Sequence, residues 1–213
     1  VQRAKVLFYA AERAASAKGV TVVVCPPFPY LEPLRRLSKN AALGAQDCSW
    51  QQEGALTGEV SPRQLKSVGC SFVILGHSER KRFLKETLAT VQRKATAALE
   101  AGLRVILCAE SAKELRAHKR KLGSFRNVLV VFEPSSAIST QGGRRVPPER
   151  IAKTAAAFRK IAGRGVPVLY GGSVEAAGIG KILSQGGVQG VLVGAVSLDS
   201  REFARLVKSA KAR

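Results

Sequence analysis

The 213-residue chain contains no methionine, one tryptophan and two histidines, and it is short of acids: 15 Asp and Glu stand against 35 Lys and Arg, a net charge of +20. No apolar run approaches the roughly 18–20 residues of a membrane-spanning helix. The first residues lack the charged-then-apolar layout of a secretory leader. No membrane partner is expected, and a cytoplasmic location is. The four cysteines, Cys25, Cys48, Cys70 and Cys108, are far apart with no CxxC pair. That spacing excludes the common zinc and redox motifs and predicts reduced, mostly buried thiols. The lack of methionine, with Val1 opening the chain, is read as the mark of a beginning that is missing. The shortage of acids raises the question of a polyanion partner. The basic residues are scattered along the sequence, however, with one concentration over 113–126 and no interleaved aromatics. A solvated basic surface is expected from this, and nucleic acid is not expected as a partner.

What is present is an ordinary globular composition, 46% hydrophobic and 23% charged, enough for a full core. No linker or low-complexity tract divides the chain, so 1–213 reads as one domain. Short apolar runs rich in β-branched residues predict strands over 21–25, 42–46, 71–76, 104–108, 128–133, 166–170 and 189–194. Amphipathic stretches fill the gaps. A helix over 1–18 comes first. Another opens at Ser61-Pro62 with Gln64 completing a capping box. Ser111 and Glu114 predict a second capping box, and Pro148 opens a helix with Ile151, Ala155, Phe158 and Ala162 on one face. The last runs from about Ser200. Alternating strands and helices imply right-handed βαβ units and a parallel sheet. An open doubly wound sheet and a closed barrel both satisfy the pattern. Seven strands preceded by a helix favour a (β/α)8 barrel that lacks its first strand.

Reacting groups in such a barrel sit at the C-terminal ends of strands. His77 follows a strand and opens a helix, where imidazolium is disfavoured and a neutral, hydrogen-bonding ring is expected; it could equally be a helix cap. Glu133 ends the apolar run Val128–Phe132. A carboxylate among apolar side chains holds its proton more tightly, which suits a general base, although an ion pair with a nearby Arg or Lys is the alternative. Gly171-Gly172-Ser173 and Gly194-Ala195 both lead towards helices and supply backbone N–H groups, the makings of a phosphate site.

These segments carry a resemblance to the triosephosphate isomerase family. It rests on Ala45-Gln46-Asp47, the run Gly54 to Pro62, Ile74 to Arg80, Val105 to Cys108, Glu133-Pro134 with Ala137-Ile138, Tyr170 to Val174, and Leu192-Val193-Gly194. The matches run in order from about Val22 to Leu206. The resemblance implies a TIM barrel that interconverts dihydroxyacetone phosphate and glyceraldehyde 3-phosphate, without metal or organic cofactor. It assigns Glu133 as the proton-shuttling base, His77 as the neutral electrophile and Glu79 as a supporting carboxylate. Gly172, Ser173, Gly194, Ala195 and Ser139 match the phosphate-binding turns. Pro134 to Gln141, with Ala137, Ile138 and Thr140, resembles a mobile lid that Tyr170 holds when closed. The loop 48–59 is similar to one that reaches into a partner subunit, which implies a homodimer with Thr57 at the neighbour's site.

The chain also departs from the family pattern. No Asn-x-Lys segment precedes Val22, Ser136 stands where a tryptophan is usual, and Ser139 and Ala195 replace glycines. The connection from Ala109 to Asn127 is short. These departures support an alternative, a catalytically impaired homologue that binds a phosphorylated ligand or a protein partner.

Overall fold

A computed structural model describes residues 1–16, 19–137, 146–184 and 187–211. Its elements are α1 (Gln2–Ala15), β1 (Val23–Val24), α2 (Leu31–Arg35), β2 (Ala42–Ala45), α3 (Pro62–Ser67), β3 (Phe72–Leu75), α4 (Ser78–Phe83) and α5 (Leu88–Glu100). They continue with β4 (Arg104–Ala109), α6 (Ala112–Leu122), β5 (Val128–Phe132), α7 (Pro148–Ala162), β6 (Val168–Gly171), α8 (Ala176–Ser184), β7 (Gly190–Leu192) and α9 (Ser200–Lys211). All seven expected strands are present, though β1 and β7 pair over fewer residues than the apolar runs suggest. The first helix falls where expected; residues 17 and 18 lie outside the described ones.

The strands form one parallel sheet in the order β1 to β7, each beside its sequence neighbour. A doubly wound sheet reverses its strand order at a switch point, and this one does not. The sheet curls instead. Phe72, Ile106, Cys108 and Val131 form a buried cluster with Val23, Ala42, Leu129, Leu169 and Leu192, so side chains from all seven strands meet on the inner face. The larger core layer lies between the sheet and the helices, with Leu75, Leu107, Val130 and Val168 facing Val91, Leu115, Ile151 and Phe158. Outside, α1 meets α9, with Ala11, Val22, Ala41 and Val207 buried between them. The result is a seven-stranded, curled half-barrel of α/β type; β1 and β7 are not paired with each other among the described residues.

Local chemistry fixes the helix starts. At α3, Ser61 Oγ accepts from Gln64 N at 3.2 Å and Gln64 Oε1 accepts from Ser61 N at 2.8 Å, the expected capping box. At α6 only half of the expected box forms. Ser111 Oγ caps Glu114 N at 3.3 Å, but the Glu114 carboxylate reaches one residue further back, to Glu110 N at 2.9 Å. The reason is on the other side of that carboxylate, where Lys81 Nζ sits 2.6 Å from Oε1 and draws it towards α4. All four cysteines are unpaired thiols. Burial pushes the Cys25 and Cys48 thiols up to about 12 and Cys70 to about 11, so none is a ready nucleophile.

Candidate active site

The C-terminal ends of β3 and β5 bring the two principal candidates together. Gly76 makes this possible on the β3 side. Its φ of +72° turns the chain out of the strand, and a side chain there would sit 3.0 Å from the Cys108 carbonyl oxygen. His77 follows and caps α4, its Nδ1 accepting from Glu79 N at 3.4 Å. An N–H aimed at Nδ1 leaves the ring proton on Nε2, and Nε2 lies 2.8 Å from Glu133 Oε1. The ring is both the helix cap and the partner of the base, so the two readings of His77 are one arrangement.

Glu133 is 3% exposed, and its depth decides how much company the carboxylate needs. Beyond His77, its Oε2 accepts from Ser78 N at 3.0 Å. The Ser78 hydroxyl is buried without a hydrogen-bond partner. Cys108 forms the floor; burial and then the Glu133 charge hold its thiol well above the usual range. On the β6 side, Gly171 leaves room: a side chain there would lie 2.8 Å from Val131 Cγ1 and 3.5 Å from Glu133 Cβ. Two forces act on the His77 pKa. Burial pulls it down, and the hydrogen bond and charge of Glu133 pull it up by more, with a further push from the Glu79 charge. Glu79 Oε2 is 3.8 Å from Nδ1.

The other candidates are spread around the same rim. Gly172 and Ser173 are half-buried in the turn between β6 and α8, and Gly194 and Ala195 are exposed where the chain leaves β7. Tyr170 is buried against Phe132, ring centroids 6.1 Å apart. Pro134 is buried, and a single 3₁₀ turn at Ser135–Ala137 begins the segment after it. Ile138, Ser139, Thr140 and Gln141 lie outside the described residues. Thr57 is exposed on the β2–α3 loop, which is braced from within by Ser49 N to Val60 O at 2.8 Å and tied to α5 by Gln52 Nε2 to Ala97 O at 2.6 Å.

Sequence reasoning missed the charged cluster that braces the site from behind. Lys94, 3% exposed, lies 2.7 Å from Asp47 Oδ2 and also pairs with Glu86; Arg80 Nη2 is 2.7 Å from Asp47 and its Nε 3.3 Å from Glu86. Arg80 is three residues after His77, so the cluster anchors the helix that carries the imidazole. The available signal was a lysine on the apolar face of α5, beside Val91, Ala95 and Ala98. A second brace runs from Lys81 to Glu114 and from Glu114 to Glu110 N, whose own carboxylate lies 3.4 Å from Ser135 Oγ.

A buried carboxylate after β5 and an imidazole after β3 thus pair across the end of β4, beside N–H-rich turns. The model of the triosephosphate isomerase family matches residues 1–210. The chain belongs to the triosephosphate isomerase family. It is 36% identical to the triosephosphate isomerase of Gloeobacter violaceus over 205 residues, covering 90% of this chain and 85% of that one. The enzyme of Herpetosiphon aurantiacus is 38% identical over 212 residues, covering 88% and 84%. Among solved structures, the triosephosphate isomerase of Bartonella henselae superposes with a TM-score of 0.80 at 27% identity, covering 94% of this chain and 90% of that one. The family is one of isomerases, and its members' barrel is the fold seen here.

Proposed function

We propose that this chain interconverts dihydroxyacetone phosphate and glyceraldehyde 3-phosphate at the strand ends of its barrel, with Glu133 moving the proton and His77 polarising the carbonyl. The observation that carries the reading is the 2.8 Å pairing of Glu133 Oε1 with His77 Nε2, one buried base and one N–H donor facing the same space. In the proposed cycle the substrate takes the place each group now gives the other. Glu133 then meets the C–H next to the carbonyl, and the Nε2–H meets the carbonyl oxygen. Proton abstraction puts negative charge on that oxygen, which the Nε2–H stabilises and protonates; Nε2 then takes the proton of the adjacent hydroxyl, and as that oxygen becomes the new carbonyl the same carboxylate returns its proton to the neighbouring carbon. Glu79 N–H keeps Nδ1 unprotonated throughout, so the ring acts as a neutral acid. Triosephosphate isomerases set a carboxylate base beside a neutral imidazole, and the roles given to Glu133 and His77 follow that family pattern.

Gly172, Ser173, Gly194 and Ala195 bind the phosphate in this scheme, and Ser139 adds a lid N–H. Pro134, Ala137, Ile138 and Thr140 form the lid, and Tyr170 fastens it, excluding water from the charged intermediate. The reading includes a homodimer, supported by the exposed Phe83 and Leu84 beside the site helix and by Thr57 at the tip of an internally braced loop. It includes a cytoplasmic location, supported by the unpaired thiols. No described helix is long and apolar enough to cross a membrane.

Turnover of Glu133→Gln and His77→Asn tests the roles. Loss of a positioned base is worth about 10²–10⁴ in rate, so Glu133→Gln should lose at least that in kcat with little change in KM. Undiminished turnover in either variant removes the assignment. The second reading, a homologue that binds without turnover, is favoured by Ser136, Ser139 and Ala195, which stand where the family pattern has a tryptophan and two glycines. It is upheld if a phosphorylated carboxylate binds while the unmodified chain exchanges no solvent deuterium into substrate.

A further inference from the structure

The chain order scatters the basic residues, and the fold gathers part of them. Residues 115–132 and 150–174 hold ten lysines and arginines and no acid. These stretches are α6 and α7 from just after their first-turn acids, Glu114 and Glu149, through the strands that follow, and the two helices pack side by side. Lys119 ties them, with Nζ 3.5 Å from the Ala162 carbonyl oxygen and 4.9 Å from the Phe125 ring centroid. On α7, Arg150, Lys153 and Lys160 are exposed at helical spacing along one stripe, and Arg164 is exposed in the turn that follows. On α6, Arg116, Arg120 and Lys121 are exposed, and Arg126 follows in the turn.

Most of this charge collects at one end. Helices that follow parallel strands run back along them, so the last turns of α6 and α7 lie beside the strands' N-terminal ends. Lys119, Arg120 and Lys121 are in the last turn of α6, and Arg159 and Lys160 in the last turn of α7. Arg126 and Arg164 precede β5 and β6, and Arg104 opens β4 with its guanidinium 4.8 Å from the Phe72 ring centroid. A cation in a last helical turn relieves the helix dipole, which accounts for some of these residues. Arg104 rests on the Phe72 ring, while Arg126 and Arg164 lie outside any such turn and are not accounted for by the helix dipole.

We infer that the base of the barrel beneath β4–β6, opposite His77 and Glu133, is a docking face for the phosphodiester backbone of duplex nucleic acid. Charge complementarity selects a polyanion. The exposed large apolar side chains of the described residues all fall at or before Leu88 or at Leu198, so none lies on this face. A membrane-surface helix needs such side chains to insert, and a single-strand site needs exposed aromatics on which bases stack. Neither is present here. What is left is contact with backbone phosphates, without base readout.

The test is fluorescence anisotropy of a labelled 20-base-pair DNA duplex with the full chain, from 50 to 200 mM KCl. If about five phosphates are neutralised, the log–log slope is about −4.5, a loss of about 500-fold across that range. The triple variant Arg120→Glu, Arg126→Glu, Lys160→Glu should bind at least about tenfold more weakly at 50 mM and bring the slope to about −2. Arg3→Glu, Arg36→Glu, Lys208→Glu makes the same change in net charge on other elements and should keep the slope. The corresponding glutamine triple variant, with its melting curve compared to the unmodified chain, separates lost contacts from misfolding. Equal losses in the two glutamate variants would mean diffuse charge and no face. No salt-dependent binding at 50 mM, or phosphatidylserine vesicles that bind more tightly than the duplex, would also overturn the inference.

Discussion

Replacing Lys94 by Met should be among the most damaging single changes on the outer layer, and the geometry says how much. The ammonium is 3% exposed and holds two carboxylates, Asp47 and Glu86, whose side chains are 8% and 4% exposed. With Arg80, the four groups carry no net charge. Removing the lysine leaves two buried carboxylates sharing one guanidinium, at 2.7 and 3.3 Å. Breaking a buried pair by deleting one partner costs about 3–5 kcal/mol, because the remaining charge stays desolvated. For a chain of 213 residues that is a fall in melting temperature of about 6–20 °C, at about 2–4 °C per kcal/mol.

The loss should depend on pH in a definite direction. Burial holds the Asp47 pKa above its ordinary value even though Lys94 and Arg80 pull it down. Without Lys94 it rises further. A carboxylate whose folded pKa is raised binds its proton more readily when folded, so stability is fullest at low pH and falls as pH climbs through the folded value. The gap between Lys94→Met and the unmodified chain should therefore narrow from pH 8 towards pH 5, as a proton takes the place of the lost ammonium. Urea midpoints across that range measure it. A loss under about 1 kcal/mol at pH 8, well below the cost of an unpaired buried charge, or a gap that does not change with pH, would refute the desolvation argument.

Two further changes test the site's supports. Gly76→Ala forces a side chain into a φ of +72° and to 3.0 Å from the Cys108 carbonyl; a strain of about 1–3 kcal/mol is expected in denaturant midpoints, with a fall in kcat as His77 shifts. Glu114→Gln addresses the second brace. Burial works to raise the Glu114 pKa, but nearby donors bring it down to about 2. At 3.7 Å, His118 Nε2 is too distant to hydrogen-bond well, so Lys81 at 2.6 Å and the Glu110 N–H at 2.9 Å are the effective donors. A lowered pKa means stability present above the unfolded value of 4.5 and lost as pH falls towards 2. The stability gap between this variant and the unmodified chain should shrink on acidification from pH 6 to pH 3, as thermal melts would show.

The strand ends were legible because a parallel barrel restricts where chemistry can sit. Val128–Phe132 is apolar on both faces, so a carboxylate directly after it had to be at the mouth or in error. Ser61 and Gln64 were legible for a similar reason, since a capping box involves only residues within one turn. What could not be read were contacts that depend on a third partner. Glu114 had the right spacing for a capping box with Ser111, but Lys81, thirty-three residues earlier, pulls it aside. Lys94 lies on the apolar face of α5, and its purpose shows only where the fold closes Asp47 and Glu86 around it. The concentration of charge beneath β4–β6 was hidden in the same way, because α6 and α7 are neighbours in space while the segment between them is long.

The 2.8 Å contact between Glu133 and His77 has a consequence for the acid–base chemistry proposed here. Two groups that must act on one substrate are, in its absence, satisfied by each other. This keeps a 3%-exposed carboxylate from standing buried and unpaired, which would cost several kcal/mol. The same contact raises the His77 pKa, which runs against the need for a neutral ring. The conflict disappears once the source of the rise is considered. Glu133 is its main cause, and Glu133 is the group that turns to the substrate's C–H. When it does so the imidazole loses that stabilisation, and burial, the largest single influence on the ring, together with the Glu79 N–H at Nδ1 favours the neutral form over the smaller push of the Glu79 charge that remains. Substrate binding therefore lowers the ring's proton affinity at the step where a neutral donor is required, and no separate device is needed to achieve it.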